Sequence, residues 1–517
     1  MSRATSLMLQ RLPDVDGAAR LQQFVRDEIP SRSLVVVANR EPYAHQWGAG
    51  GDVVVERAPS GLVTAIEPVL RACGGTWIAH ASGLADRSQS DRAGRLTVPP
   101  DSREYILRRL WIDPEEYSHY YAGLANEGLW PLCHMAHAQP SFRPDDWTAY
   151  QRVNESFARA ALDEARTDGL VLIQDYHFAL VPQMIRLRSA HLVTSLFWHI
   201  PWPNAEMIGI FPWKETLLEG MIGADIVGFH TGDYCRNFLE TAKRYLNCRV
   251  DFDAMAIDYR GRRTRVRAYP ISVEWPYPSA SRAEGRNLRR ALGIAPDIHV
   301  SIGIDRADYT KGLIERITAV ELLFEEHPAL LGKYVLVQLA APTRASIPRY
   351  QKLSADLRAS VNRVNERFGT ASWKPIELQM RSFSPEEVRT YYAMADSALV
   401  TPLHDGMNLV AKEYAAACVD GEGALVLSVF AGAAKELDGA LLVNPYDTQQ
   451  VAAAIVRAIE MPLAERRARM QSMRRRIAGN SIYDWSERLL REMNEVRAQG
   501  GRFWLHPGSA VRDSIRV

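Results

Sequence analysis

The sequence predicts an α/β protein of two doubly wound parallel-sheet domains that face each other across a cleft. The prediction rests on the chain length, on two series of short apolar runs without alternation, and on the helix-type stretches between them. At 517 residues the chain exceeds what one hydrophobic core usually supports, so two domains of roughly 200 to 250 residues follow. The first series of runs is Leu34–Val37, Leu170–Ile173, Leu192–Phe197, Asp225–Phe229 and Val266–Val273. The second is His299–Ile304, Tyr334–Leu339, Ser397–Val400, Ala424–Leu427 and Ala440–Val443. Continuous apolar character marks strands buried on both faces, as in a parallel sheet covered by helices. Segments such as Leu313 to His327 and Pro385 to Met394 carry helical periodicity and supply the connections.

The stretch Pro276-Tyr-Pro-Ser-Ala-Ser-Arg-Ala-Glu-Gly285 has the Pro, Ser and Gly content of an inter-domain connector. The expected organisation is an N-terminal extension over 1–30, a first domain over 31–280, a second over 281–480, and a C-terminal helix and tail over 481–517 that packs back on the first domain. In doubly wound sheets, ligands collect outside the carboxyl ends of the strands, which places the site in the cleft.

Composition narrows the function. Apolar residues make up 47% and charged residues 24%, as in a globular enzyme. With 62 basic against 61 acidic residues, no global field draws nucleic acid or an anionic membrane surface, and any anion site must be local. The basic run Arg466 to Arg476 reads as a solvated helix face. Cys73, Cys133, Cys235, Cys248 and Cys418 lack C-x-x-C spacing, which suggests unpaired thiols in a reducing, cytoplasmic setting. Neither a signal-like N-terminus nor a membrane-length apolar run is present in the sequence.

Asp405-Gly-Met-Asn-Leu-Val-Ala-Lys-Glu413 follows a strand that ends near Thr401 and opens a helix. The first turn of a helix has no internal acceptors for its N–H groups. The amides of Gly406, Met407, Asn408 and Leu409 are therefore free for sugar hydroxyls or phosphate oxygens, and Gly406 allows close approach. Glu413 falls about two turns beyond Asp405, so both carboxylates lie along one ligand, near hexose and ribose hydroxyls. By residue type alone, an N-cap Asp followed by a solvated Glu is the plainer reading; the other motifs favour the site.

Ile304-Asp-Arg-Ala-Asp-Tyr-Thr-Lys-Gly312 places Arg306 and Lys311 in a strand-to-helix loop at the cleft edge. Two cations there can hold a diphosphate. The negative charge that builds on a departing nucleotide is met by charge-assisted bonds of roughly 1.5 to 3 kcal/mol each, in place of a metal. A solvated basic loop is the alternative. No Asp-x-Asp is placed at this edge to carry Mg²⁺.

Gln174-Asp-Tyr-His177 and Trp198-His-Ile-Pro-Trp-Pro203 stand at successive strand ends, with Asp175 and His199 24 residues apart. Neighbouring strand ends bring both onto one polyol, with Trp202 as an apolar sugar platform. Asn39-Arg40 ends the first strand, and Pro59-Ser-Gly-Leu62 opens a helix whose Gly turn suits phosphates. Gly48-Ala-Gly50-Gly51 fails as a dinucleotide fingerprint because Val53 takes the third glycine's place, so NAD binding is rejected. His134-Met-Ala-His137 has no third ligand nearby for zinc. Val250-Asp-Phe-Asp-Ala254 reads as a polar strand or turn rather than a phosphatase nucleophile motif, because Met255 follows it.

Together these segments resemble the trehalose-6-phosphate synthase family, glycosyltransferase family 20: retaining enzymes with two Rossmann-like domains in the GT-B arrangement. The resemblance runs from about residue 34 to 490. It is carried by D-G-M-N-L-V-A-K-E, by the R-x-D-Y-[ST]-K-G loop at Arg306 to Gly312, by D-Y-H at Asp175, by H-I-P-[FW]-P at His199, and by Val443-Asn-Pro-Tyr446. It implies that Arg306 and Lys311 grip the nucleotide diphosphate and Glu413 the ribose. Asp405 with the backbone of Gly406, Met407, Asn408, Leu409 and Val410 would hold the donor glucose, and Gly61 would sit under the phosphates.

On the acceptor side the resemblance assigns Arg40, Tyr121 and Arg344 to the phosphate of glucose 6-phosphate. Trp130, nine residues after Tyr121, would contact the sugars near the reaction centre together with Asp175 and His199. The implied catalytic set is Asp175, His199, Arg306 and Lys311, with no metal and no cofactor. The implied mechanism is front-face transfer in which the donor phosphate helps deprotonate the acceptor hydroxyl, without an enzyme nucleophile and so unlike two-carboxylate hydrolases.

Ser60, Gln174 and His404 depart from the family's usual Gly, His and Arg. They bear on nucleotide and acceptor preference and remove none of the implied ligands. The expected partners are UDP-glucose or another nucleoside diphosphate glucose, and glucose 6-phosphate. Glucosylglycerol-phosphate synthesis from glycerol 3-phosphate is the alternative activity. A non-catalytic sugar-phosphate sensor is disfavoured because Arg306, Lys311, Asp405 and Glu413 are all present. No room remains after residue 490 for a phosphatase domain, so a separate trehalose-phosphate phosphatase is expected downstream. A homo-oligomer stays open.

Overall fold

The apolar runs become strands because both of their faces are covered: every residue of Leu170–Gln174, Val193–Phe197 and Ala424–Ser428 is buried. The computed structural model describes residues 17–29, 34–57, 61–136 and 138–499. The first sheet has seven parallel strands, β1 (Leu34–Arg40), β2 (Thr76–His80), β3 (Tyr105–Leu110), β4 (Leu170–Gln174), β5 (Val193–Phe197), β6 (Ile226–Phe229) and β7 (Arg262–Ala268). Their order is β7-β6-β5-β4-β1-β2-β3. Antiparallel strands extend both edges, Arg95–Val98 on β3 and the hairpin Arg249–Asp251 with Ala256–Tyr259 on β7.

The second sheet is wholly parallel, with β8 (His299–Arg306), β9 (Tyr334–Ala341), β10 (Ile376–Gln379), β11 (Ser397–Val400), β12 (Ala424–Ser428) and β13 (Leu441–Val443) in the order β10-β9-β8-β11-β12-β13. Each sheet has one point where the strand order reverses, β4 beside β1 in the first and β8 beside β11 in the second. A crevice forms at such a point because successive connections leave to opposite faces.

The run expected over Val266–Val273 is only partly a strand. Pairing runs from Arg262 to Ala268, on the hairpin strand up to Arg265 and on β6 from there, and Pro270 follows two residues later, where a missing N–H cannot continue a ladder. Tyr269, Ile271 and Val273 instead bury their side chains as the chain leaves the first sheet. It crosses to the second, where Ser281 and Glu284 close a capping box on the helix Arg282–Ala291.

The chain crosses back near residue 480. The five helices used below are α1 (Gly17–Glu28), α2 (Gly61–Cys73), α3 (Leu313–Glu326), α4 (Leu409–Ala417) and α5 (Ile482–Ala498). α5 packs on α1, α2 and β5. The Ile482 amide donates to the Val273 carbonyl at 2.9 Å, the Trp485 indole donates to the Tyr269 carbonyl at 3.2 Å, and Glu492 pairs with Arg265 and Arg267 at 3.1 and 2.9 Å. Between the two crossings lies a buried polar cluster. The Lys412 ammonium of α4 donates to the Ile271 carbonyl at 2.7 Å and to Glu436 at 2.5 Å, while the Asn480 amide donates to Glu436 at 3.0 Å. A charge this deep is retained only with its partners in place, so the cluster fixes the two sheets relative to each other.

Trp485 is fully buried and meets the Phe197 ring edge-on at 5.2 Å. Trp485→Ala is expected to cost about 3 to 5 kcal/mol, since the surroundings collapse only partly into the space it leaves. The loss would appear as a lowered urea midpoint; a change below about 1 kcal/mol contradicts this packing.

Candidate active site

The two crevices open into one cavity of about 470 Å³, a volume typical of small-molecule sites. Asp175 follows β4 with φ 74° and ψ 171°, a backbone region that non-glycine residues rarely occupy. Its carboxylate accepts the N–H of Tyr176 at 2.9 Å and that of His199 at 3.1 Å, tying the ends of β4 and β5 together. The His199 Nε2–H donates to the Gln174 side-chain carbonyl at 2.7 Å. Gln174, a departure from the family pattern, thus fixes the imidazole tautomer. Asp175 and His199 both line the cavity.

In the second half, Arg306 ends β8 and Lys311 closes the single turn Tyr309–Lys311. Gly312 turns the chain into α3 with φ 64°, and a β-carbon there would strike the Thr401 carbonyl. The Lys311 ammonium pairs with Asp405 at 2.6 Å, and the Asn408 side-chain amide donates to the same carboxylate at 3.1 Å. Asn408, with φ 71°, is the N-cap of α4, its side chain accepting the Ala411 N–H. The plainer reading of Asp405 as the cap is therefore wrong. α4 begins at Leu409, so Glu413 stands one turn into the helix rather than two turns beyond Asp405.

Gly406 does not line the cavity but backs onto the first half, where a β-carbon would strike the His199 carbonyl. Met407, Asn408, Leu409, Val410 and Glu413 do line it, and Glu413 accepts the Tyr392 hydroxyl at 2.8 Å.

Arg40 at the end of β1, Tyr121, Trp130 and Arg344 close the opposite side. Tyr121 stacks on His177 at 5.7 Å and on Tyr117 at 5.1 Å. The Arg344 guanidinium lies over the Trp130 ring at 4.0 Å, with Arg306 at 5.4 Å, a cation–π arrangement. Arg344 also pairs with Asp308 at 2.9 Å and donates to the Tyr176 hydroxyl of the other half at 3.3 Å. Below Arg40, the buried Arg109 pairs with Glu41 at 2.7 Å and Asp86 at 2.9 Å, holding the turn that follows β1.

Trp202 is not a sugar platform. It is fully buried, donates to the Thr241 hydroxyl at 3.1 Å and packs on Trp198 and Phe238. Gly61 opens α2, but its surroundings, residues 58–60 with Ser60, lie outside the described residues, as does His137.

Sequence reasoning missed Asn39, His134, His230, Thr343 and an apolar wall of Ile304, Leu339, Phe383 and Val388. Asn39, His134 and Ile304 stand inside motifs singled out in the sequence and are recoverable from it; Phe383 and Val388 carry no local signal. Among the described residues no group of three or more His, Cys, Asp or Glu side chains is placed to hold a metal ion, and no helix is long and apolar enough to cross a membrane.

Four cations, Arg40, Arg306, Lys311 and Arg344, and four carboxylates, Asp175, Asp305, Asp405 and Glu413, line the cavity. Arg40 and Arg306 have no carboxylate within ion-pair distance among the described residues. Burial pushes the Asp175 carboxyl up to about 7, outweighing the N–H groups it accepts and the pull of Arg306 and Arg344. Burial also opposes ionisation of Tyr121, but Arg344, Arg40 and Arg306 overcome it and bring the phenol down to about 8. Burial, with His230 and His177 alongside, keeps His199 neutral.

The glycosyltransferase family 20 model matches residues 32–495. A trehalose-6-phosphate synthase from Mycobacterium avium is 36% identical over 479 residues, covering 90% of this chain and 96% of that protein. A bifunctional trehalose-6-phosphate synthase/phosphatase from Thermoproteus tenax is 35% identical over 87% of this chain, which spans only 62% of that relative's length. Among solved structures, a UDP-forming α,α-trehalose-phosphate synthase from Burkholderia xenovorans in complex with glucose-6-phosphate superposes with a TM-score of 0.78 at 31% identity, covering 89% of this chain and 99% of that one.

The Asp175 shift gives a signed expectation. Its folded value, about 7, exceeds its ordinary 3.8, so the folded protein holds this proton more tightly. Its contribution to stability is full below the ordinary value and is lost as pH rises through the folded one. Asp175→Asn should therefore raise the thermal midpoint relative to the parent by more at about pH 8 than at about pH 5. An equal or smaller gain at the higher pH contradicts a buried, reluctantly ionised carboxyl.

Proposed function

The chain belongs to glycosyltransferase family 20, and on that footing we propose that it transfers glucose with retention from a nucleoside diphosphate glucose to glucose 6-phosphate, giving α,α-trehalose 6-phosphate. UDP-glucose is the favoured donor. The observation that carries this reading is the division of cations in one cavity: Arg306 and Lys311 beside Asp405 and Glu413, Arg40 and Arg344 beside Tyr121 and Trp130. Two anions of different kinds fit such a cleft, a diphosphate on the first pair and a monophosphate on the second, where Arg forks give orientation as well as charge.

In the proposed reaction the bond from the anomeric carbon to the diphosphate oxygen breaks while the acceptor's anomeric hydroxyl oxygen bonds to that carbon on the same face. The hydroxyl proton passes to the departing diphosphate oxygen. Arg306 and Lys311 take up the charge that builds on the nucleotide, the part a metal plays in other transferases. Asp175, whose carboxylate accepts the His199 N–H, and His199, whose ring is held by Gln174, orient sugar hydroxyls at the reacting carbon. Closure of the two halves keeps water from the oxocarbenium-like carbon.

Glucose 6-phosphate is favoured over glycerol 3-phosphate because Asp175, His199 and an apolar wall line the same cavity as the two cation pairs, which gives a hexose ring hydroxyl partners and an apolar surface. Among the described residues Cys133, Cys235, Cys248 and Cys418 are free thiols, which suits a reducing cytoplasm. We expect the product to leave still phosphorylated, for a separate phosphatase, and leave self-association to measurement.

Purified protein given UDP-glucose and an acceptor panel should release UDP only with a phosphorylated acceptor, fastest with glucose 6-phosphate, and yield no free trehalose. Faster turnover with glycerol 3-phosphate selects the alternative acceptor. No nucleotide release with glucose 6-phosphate across a range of donor bases overturns the reading.

A further inference from the structure

His134 belongs to a histidine pair that fails as a zinc site, yet its ring lines the cavity. It sits one helical turn after Trp130, packs tilted against that indole with ring centroids 4.0 Å apart, and is 1% exposed. Its Nδ1 lies 2.9 Å from the Trp130 carbonyl. A carbonyl oxygen only accepts, so Nδ1 carries the proton and Nε2 the lone pair. Among the described residues no protein donor is hydrogen-bonded to Nε2. The residue is clamped from the other half as well, because the His404 Nδ1–H donates to the His134 carbonyl at 2.6 Å, and His404 directly precedes Asp405.

A neutral imidazole in this position has one open function, to accept a hydrogen bond. It cannot serve a phosphate oxygen, which also only accepts; it can serve a hydroxyl. Burial, reinforced by His404, brings its pKa down to about 3, which keeps the lone pair available throughout the neutral range.

We propose that His134 is a specificity-determining residue whose Nε2 accepts a hydrogen bond from a hydroxyl of the sugar held between Trp130 and Asp405. This rests on the glucosyl-transfer reading above. The lone pair rejects a sugar lacking that hydroxyl and turns phosphates away toward the cations on either side. A site built to bond a particular hydroxyl discriminates strongly against its absence, because the buried group is then left unpaired.

The test uses His134→Phe, which keeps a ring on Trp130 and removes the lone pair, and His134→Gln, which keeps an acceptor. Each is assayed with UDP-glucose and glucose 6-phosphate, and then with monodeoxy forms of each sugar. His134→Phe is expected to lower kcat/KM about 10- to 100-fold, with Gln recovering part of the loss. One deoxy sugar should lower the parent by a similar factor and lose nothing further in the Phe protein, while losses for the other deoxy sugars multiply.

Equal further losses on every deoxy sugar, or no loss at all with either variant, overturn the proposal. If the Phe protein does not fold, the same cycle run on His134→Leu, which also lacks the lone pair, decides. A parent protein without turnover on the intact sugars sinks the glucosyl-transfer reading and this contact with it. Turnover without coupling sinks only the contact.

Discussion

Cations held in a closed cleft, two of them without a carboxylate partner among the described residues, are the constraint on which the rest of the site depends. Arg40, Arg306, Lys311 and Arg344 all line one cavity, and the carboxylates paired with them are Asp405 on Lys311 and Asp308 on Arg344. In a medium less polarisable than water such charges act on their neighbours at several ångströms. The Tyr121 phenol falls below its ordinary value under three guanidiniums. Asp175, the carboxylate best placed to offset the charge, is itself so buried that it ionises only near 7. Arg40 and Arg306 are left without a carboxylate partner among the described residues, so each can meet an anion brought into the cavity.

The scaffold achieves this by stacking two reversals of strand order face to face. The first brings the ends of β1 and β4, hence Arg40 and Asp175, together; the second does the same for Arg306 after β8 and the Asp405 loop after β11. Neither crevice alone holds both cation pairs. Their register depends on groups away from the chemistry: Lys412, Glu436 and Asn480 at the double crossing, α5 against the first sheet, and Gly406 against the His199 carbonyl. Backbone strain is present at the site, as it is at Arg103, Met135, Met255 and Arg260 outside the cavity lining. Asp175, Arg344 and Asn408 all have positive φ, and residues held in that region cluster where geometry matters more than stability.

Much of this was legible in the sequence, for identifiable reasons. Strands such as Leu170–Gln174 and Tyr334–Ala341 are buried on both faces and announce themselves as apolar runs. Residues at their carboxyl ends fall at the cleft by topology alone, so Asp175, His199, Arg306 and Asp405 followed from position. Tyr105–Leu110 alternates buried and half-buried residues and carries two arginines, and Ile376–Gln379 is a half-exposed edge strand; both escaped a search for continuous apolar runs. Trp202 was misplaced because an aromatic residue beside a strand end has no local mark of whether it faces a ligand or the core. Asn408 rather than Asp405 caps α4 because the loop bends back to let Asp405 meet Lys311, a tertiary contact that outweighs local capping preference.

A crystal structure with UDP and glucose 6-phosphate bound together tests the division of the cleft most directly. The diphosphate is expected on Arg306 and Lys311, the ribose near Glu413, and the monophosphate on Arg40 and Arg344 beside Tyr121. Both phosphate groups on one cation pair, or either ligand outside the cleft, would contradict it.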